Sequence, residues 1–326
     1  MHFTDLKGPY YEMGLEYGKK LKTAGFRLPN FTEKVLKLAK DCRNHVATIF
    51  PKILDELDGV AEAAELKSSK LEAQVLLHPQ SLPKCSIFAV TDGEQTFLGR
   101  NYDMFYSLQE FTECYFTSPL DGYRSIGHTD IFIGREDGIN EKGLGVAMSG
   151  ITDYFKPGIA FWICIRYILD KCHTVQEGID FLLDLPHHCT ITFLLADPTG
   201  AMAVVEASPM QTEVRYSDDG FIISTNHLNH PKMRNIRLFE PPDSRTRYAA
   251  INNSLKNPPS TLDEKFLKSV LSGHDGLVCS HLNEIQLGTL WSMVANLNTR
   301  QIWRAEGHPC TVAYKDDNRL HSLCAK

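Results

Sequence analysis

The spacing of apolar positions changes once along the chain. Over 8–24, Met13, Tyr17 and Leu21 recur every four residues, which places one stripe along a helix, and Pro9 stands near its start. Gly14 and Gly18 fall on a neighbouring line of that helix. Each costs about 1 kcal/mol against Ala in a helix interior, so the pair predicts a close backbone approach there. A helix over 31–49 follows, interrupted by Pro51. Ile53, Leu54, Leu57, Val60, Ala61 and Ala64 predict an amphipathic helix ending near Leu66. Ser69-Lys70-Leu71-Glu72 reads as a capping box for a short helix to Leu77. The first 80 residues are therefore expected to be helical, without a strand. Pro79 and Pro83 then straighten the chain towards Cys85.

From residue 85 the pattern is that of strands. Residues 86–90 and 96–98 are apolar or β-branched, and Asp92-Gly93 between them is a hairpin turn. Strands are expected at 130–133 and 144–148, joined by a polar turn over 137–143. A helix spans 158–171, and Thr174-Val175-Gln176-Glu177 caps another running to Leu185. Four strands follow at 190–196, 201–206, 211–216 and 221–224. Helices are expected at 245–256 and at 261–272, the second capped by Ser260, before a closing hairpin of 289–297 and 301–305. Strand runs separated by helix pairs predict an α+β fold of layered helices and mainly antiparallel sheets.

The 326 residues are 43% hydrophobic, enough for one large core or two smaller ones, and a net charge of -6 leaves no basic surface for nucleic acid. No apolar run approaches the roughly 18 residues of a membrane span. The first residues carry no secretory leader pattern. Nine cysteines, an odd number without CxxC pairs, fit free thiols in a reducing cytoplasm better than a disulfide framework. His187-His188-Cys189 has metal-ligand residue types, but adjacent residues on a strand point to opposite faces, and a loop is the better reading. No metal and no cofactor is expected.

The hairpin holds the chemistry. Cys85 opens its first strand, while Arg100, Asn101 and Asp103 cluster at the end of its second. Antiparallel pairing brings these ends together, so Cys85 is expected to face Arg100 and Asp103, a thiol beside a cation and a carboxylate.

Motifs along nearly the whole chain resemble the N-terminal-nucleophile amide hydrolases that include penicillin acyltransferase, bile salt hydrolase and acid ceramidase. Gly8-Pro9-Tyr10-Tyr11-Glu12-Met13-Gly14 and Glu56-Leu57-Asp58-Gly59-Val60-Ala61-Glu62 resemble the helical opening of the acyltransferase branch. Cys85-Ser86-Ile87-Phe88 and Gly99-Arg100-Asn101-Tyr102-Asp103 resemble the nucleophile strand and its partner. Asn140-Glu141-Lys142-Gly143-Leu144, Val205-Glu206, Ser224-Thr225-Asn226-His227, Ser244-Arg245-Thr246-Arg247-Tyr248 and Gly307-His308-Pro309-Cys310 complete the set, in the family's order and spacing.

The resemblance implies a four-layer αββα sandwich over 85–326, preceded by a helical leader over 1–84. It implies a precursor cleaved at Lys84–Cys85, whose Cys85 then serves as nucleophile with its own amine as base. Arg100 would stabilise the thiolate, Asp103 would orient the new ammonium, and Asn226 would donate to the oxyanion. Arg247 would hold the ion-pair network, a place its neighbour Arg245 could equally fill. The implied partner is a small-molecule amide or acyl donor, with neither nucleic acid nor membrane, and a homo-oligomer is compatible. Three positions depart from the family pattern: Ile87 where a hydroxyl residue is common, bulky Lys84 before the nucleophile, and Gly150 where bile salt hydrolases carry Asn. An uncleaved small-molecule-binding protein and a Cys-His hydrolase using His227 or His281 are the competing expectations. Acyl-pocket residues are expected among Phe105, Tyr106, Phe111, Tyr115, Phe116 and Tyr154, with Phe161 and Trp162 beyond.

Overall fold

The computed structural model describes all residues except 78–83, 131, 152–154, 218, 234, 237–239, 260 and 321–326. Pro79, Pro83, Tyr154, Ser260 and Cys324 lie outside the described residues.

The chain opens with a strand, β1 (His2–Gly8), against the expectation of an all-helical start. β1 pairs in parallel with β4 (Glu113–Pro119), more than a hundred residues away. Its buried positions are Thr4 and Leu6 while Phe3 is half-exposed, so the local pattern carries no strand signal. Four helices follow: α1 (Tyr10–Thr23), α2 (Glu33–Ile49), α3 (Pro51–Ala63) and α4 (Ser68–Leu76). Pro51 occupies the first turn of α3, where its missing N–H costs nothing. The expected capping box does not form at α4: Lys67 precedes the helix without a side-chain cap, and Glu72 instead bonds Arg43 at 2.8 Å. The two-glycine expectation holds in α1. A Cβ at Gly14 would collide with the Glu56 carbonyl oxygen, and one at Gly59 with that of Tyr11, so α1 and α3 touch backbone to backbone.

The hairpin is β2 (Lys84–Thr91) and β3 (Thr96–Phe105). Beyond β4 come β5 (Ser125–Thr129), β6 (Asp137–Asn140) and β7 (Gly145–Gly150). Here two expectations fail. The described residues of 130–133 form a bend and a turn, while the polar stretch expected as a turn begins with β6, buried throughout. Helices α5 (Phe161–Lys171) and α6 (Val175–Leu183) lead to β8 (Ile191–Ala196), β9 (Met202–Ala207), β10 (Thr212–Tyr216) and β11 (Phe221–Ser224). At α6, Thr174 caps the Glu177 N–H, as the capping box predicts, but Glu177 reaches back to the N–H of His173. Then follow α7 (Ser244–Lys256), α8 (Glu264–Ser272), β12 (His281–Leu282), β13 (Leu287–Asn296), β14 (Gln301–Ala305) and β15 (Lys315–Asp317). Asp263 caps α8 by accepting from the Phe266 N–H.

The strands form two sheets, ordered β1-β4-β5-β6-β7-β8-β9-β10 and β11-β2-β3-β13-β14-β15, with β12 on β13. Every pair but β1–β4 is antiparallel. The sheets stack face to face, with α5 and α6 on the outer face of the first and α7 and α8 on that of the second. This is an αββα sandwich. The N-terminal helices pack on α5. Arg166 bonds both Glu56 oxygens at 3.2 and 2.9 Å, Tyr10 bonds Asp170 at 2.8 Å, and Phe50 meets Tyr167 edge-on. Among the described residues no helix is long and apolar enough to cross a membrane.

Candidate active site

The β2–β3 register pairs Lys84 with Asp103, Cys85 with Tyr102 and Ile87 with Arg100. Residues paired across an antiparallel ladder share a face, and faces alternate along each strand. Cys85, Ile87, Arg100 and Tyr102 therefore point between the two sheets, while Lys84, Ser86, Asn101 and Asp103 point towards α7 and α8. The expectation that Cys85 faces both Arg100 and Asp103 is half right: Arg100 shares its face, and Asp103 lies on the other.

Arg100 donates to the Cys85 thiol at 3.4 Å and bonds Asp137 at 2.5 Å. Its guanidinium lies over Tyr102 and Trp291, whose rings stack 3.8 Å apart. Asp137 also holds His128 at 2.5 Å and Trp291 at 3.1 Å. Burial alone would lower the Arg100 pKa, but the Cys85 thiol and the Asp137 carboxylate outweigh it and raise it. Burial pushes the Cys85 thiol up to about 11, with Arg100 offsetting part of that rise. The thiol is fully buried.

The other side of Cys85 is held from α7 and from the loop after β11. Its backbone N–H donates to Asn226 Oδ1 at 2.9 Å. Arg247 donates to that same oxygen at 2.7 Å, to Ser86 Oγ at 3.2 Å and to the carbonyl of Cys85. Asn226 Nδ2 donates to the carbonyl of Gly150 at 2.8 Å. Between Arg245 and Arg247 the fold is unambiguous: Arg245 pairs with Glu240 in solvent, and Arg247 is buried against Cys85. Asp103 accepts from Thr289 Oγ1 at 2.6 Å. Burial raises its carboxyl to about 6 despite Arg247 nearby.

Two carboxylates escaped the sequence. Asp137 lay in the stretch expected as a turn. Asp243 accepts from Lys84 Nζ and from Arg247 Nε, each at 2.9 Å, so the bulky residue before Cys85 is itself anchored. Nothing local flags either: Asp137-Gly138-Ile139-Asn140 shows no polar–apolar alternation, and Asp243 stands in no motif.

No histidine bonds the Cys85 thiol among the described residues. His227 bonds Ser244 Oγ at 2.7 Å, and His281 lies against Cys279 and Cys310. His187 Nε2 and His188 Nδ1 donate to the backbone oxygens of Leu182 and Lys156, and neither belongs to a metal-ligand cluster among the described residues. The expected acyl-pocket residues are dispersed: Tyr115, Phe116, Phe161 and Trp162 are core. A cavity of about 630 Å³ does open nearby, lined by Tyr17, Leu21, Phe26, Phe111, Asp130 and Phe132 among others. Asp130 accepts from the Tyr102 hydroxyl at 2.9 Å, and Tyr102 is the cross-strand partner of Cys85.

The family model of acyl-coenzyme A:6-aminopenicillanic acid acyl-transferase matches residues 90–310. No curated protein sequence matches the chain. Among solved structures, a mutant of the conjugated bile acid hydrolase from Clostridium perfringens is similar with a TM-score of 0.57 at 16% identity, over 73% of this chain and 94% of that one. A second variant of that hydrolase gives 0.55 at the same 16% identity, again over 73% of this chain and 94% of that one. An ortholog of N-acylethanolamine-hydrolyzing acid amidase from Caenorhabditis elegans gives 0.49 at 17% identity, over 66% of this chain and 93% of that one. The two bile acid hydrolase structures show that the sandwich is of the N-terminal-nucleophile hydrolase fold.

Proposed function

The chain belongs to the acyl-coenzyme A:6-aminopenicillanic acid acyl-transferase family, and on that premise we propose that it is a self-processing cysteine amidase or acyltransferase acting on a linear amide C–N bond. The observation that carries this is the double hold on Cys85. Arg100 contacts its thiol, and Asn226 accepts from its backbone nitrogen, the atom that cleavage would turn into an amine.

In the proposed maturation the Cys85 thiol attacks the Lys84 carbonyl. The C–S bond forms, the Lys84–Cys85 C–N bond breaks, and the freed nitrogen takes the thiol proton. Water then hydrolyses the thioester and leaves a carboxylate on Lys84. A free α-amine has a pKa of about 7.7–8.0 and a thiol one of about 8.5, so the amine is a competent base for its own side chain. In turnover the thiolate attacks the substrate carbonyl, the ammonium protonates the leaving amine, and water or an acceptor amine takes the acyl group from sulfur. Arg100, itself fixed by Asp137, favours the thiolate. We assign the oxyanion to the Asn226 amide, which would share Nδ2 with the Gly150 carbonyl. Arg247 positions Asn226, and Asp103 acts on the ammonium through the local field. The cavity lined by Tyr17, Leu21, Phe26 and Phe132 suits an apolar acyl group. Free thiols at all eight described cysteines support a reducing, cytoplasmic setting.

Intact-mass analysis of the purified protein tests the proposal. Two fragments, residues 1–84 and 85–326, are expected from the native chain and a single full-length species from Cys85→Ala. A native chain that stays full-length sinks the maturation step. A second reading, an uncleaved small-molecule-binding protein, is favoured by the buried thiol raised to about 11. Thiol labelling separates the two: an activated Cys85 outreacts the other cysteines near neutral pH, whereas labelling no faster than theirs favours the binding protein.

A further inference from the structure

Spacing along the chain gives no metal motif, yet the fold assembles one. His274, Cys279 and His281 lie on the segment between α8 and β13, and Cys310 comes from the segment after β14. Their four donor atoms all lie within 4.8 Å of one another. Cys279 Sγ is 3.5 Å from Cys310 Sγ and 3.4 Å from His281 Nε2, and His281 Nε2 is 3.1 Å from Cys310 Sγ. Zinc with Zn–S of about 2.3 Å and Zn–N of about 2.0 Å has tetrahedral edges of about 3.3–3.8 Å, close to these separations.

We propose that His274, Cys279, His281 and Cys310 form a structural zinc site that ties the α8–β13 segment to the segment after β14. Two thiolates and two imidazoles are a soft, mixed S₂N₂ set that suits zinc, and two thiolate charges neutralise the dication in a half-buried place. Four protein ligands close the tetrahedron and leave no position for substrate, which makes the site structural rather than catalytic. The surroundings fix the ligands. His308 stacks on His281 with ring centres 3.9 Å apart, and Tyr106 lies 3.4 Å from His308 Nε2. Gly276 and Leu277 take positive φ between the first two ligands, the bend that returns the chain towards the cluster. The site is also tied to Cys85's strand pair. Ser280, between two ligands, donates its N–H to Thr289 Oγ1 at 3.0 Å, and Thr289 Oγ1 donates to Asp103 at 2.6 Å. Zinc would thus steady the segment that positions Asp103.

The test is metal content of the full-length chain, purified under reducing conditions and dialysed against metal-free buffer, together with cobalt(II) titration. About one zinc per chain is expected, and cobalt should give the visible bands of a tetrahedral thiolate site. Cys279→Ser combined with Cys310→Ser should lose both signals, and the partly exposed His274→Ala, the variant least disturbing to folding, should weaken cobalt binding. Cys85→Ala should retain full metal content, which separates this site from the nucleophile whatever becomes of maturation. Zinc content unchanged in the double variant overturns the proposal. So does reduced native protein that takes up neither zinc nor cobalt, or a Cys279–Cys310 disulfide found in place of bound metal.

Discussion

The backbone N–H of Cys85 donates to the side-chain oxygen of Asn226 at 2.9 Å, across 141 residues of sequence. The same oxygen accepts from Arg247, so the nitrogen that would become the base sits on a fixed acceptor before any bond is cut. In a buried setting such a polar contact is electrostatically strong and expensive to leave unmade.

Asn226→Ala removes both the acceptor and the amide. Losing one oxyanion donor typically costs about 100–1,000-fold in rate, and that loss is expected in kcat on a processed enzyme. Kinetics on an N-acyl amino acid or a penicillin that the native enzyme turns over would measure it. A loss confined to KM would remove Asn226 from the oxyanion role.

Arg100→Met takes away the cation that offsets burial at the thiol. Each unit of further rise in the Cys85 pKa leaves about tenfold less thiolate at neutral pH, so labelling should slow by at least that factor. Mass-mapped iodoacetamide rates would show it, and an unchanged rate would mean that Arg100 does not set the thiol's acidity.

Asp103 gives a pH dependence of definite sign. Burial lifts its folded-state carboxyl to about 6, above the unfolded value of about 3.9. Near pH 5 the folded chain holds a proton that the unfolded chain has released, so stability falls as pH rises from about 4 to about 6 and is level above that. The size is on the order of 2–3 kcal/mol, and Asp130, also near 6, adds the same sign. Denaturation of Cys85→Ala at pH 4.5 and 6.5, with and without Asp103→Asn, isolates the Asp103 share. If Asp103→Asn leaves the pH slope unaltered, the assignment fails.

The N-terminal helices should remain bound after cleavage, because Glu56 and Arg166 form a fully buried ion pair between α3 and α5. Removing one partner of such a pair strands a buried charge and costs about 3–5 kcal/mol. Arg166→Met is therefore expected to lower the urea midpoint sharply, and Glu56→Gln added to it should restore part of the loss. Size-exclusion chromatography would show the two fragments co-eluting in the native protein and separating earlier in denaturant for Arg166→Met.

Gly14→Ala tests the contact between α1 and α3. Its added Cβ meets the Glu56 carbonyl, so the helices must part. A loss of about 1–3 kcal/mol is expected, opposite in sign to the gain that Ala gives in an isolated helix. Chemical denaturation would decide between them.

Local periodicity by itself determined much of this protein. The hairpin at Cys85, the four strands from 190 to 224, the closing hairpin and most helices were legible because burial on one face leaves a period of two or near four in the sequence. Motif order pointed to Cys85 and to the residues that the fold gathers around it. The tertiary structure alone decided the rest. β1 buries Thr4 and exposes Phe3, so its strand character exists only through pairing with β4. Asp103 falls on the face opposite Cys85 because register fixes the face of every side chain. Arg247 rather than Arg245 reaches the site because positions two apart on a helix face nearly opposite ways, which directs one inward and the other to solvent. Asp137, Asp243 and the His274–Cys279–His281–Cys310 cluster owe their roles to partners brought close by chain crossings, and charge and coordination act through space, where sequence separation has no bearing.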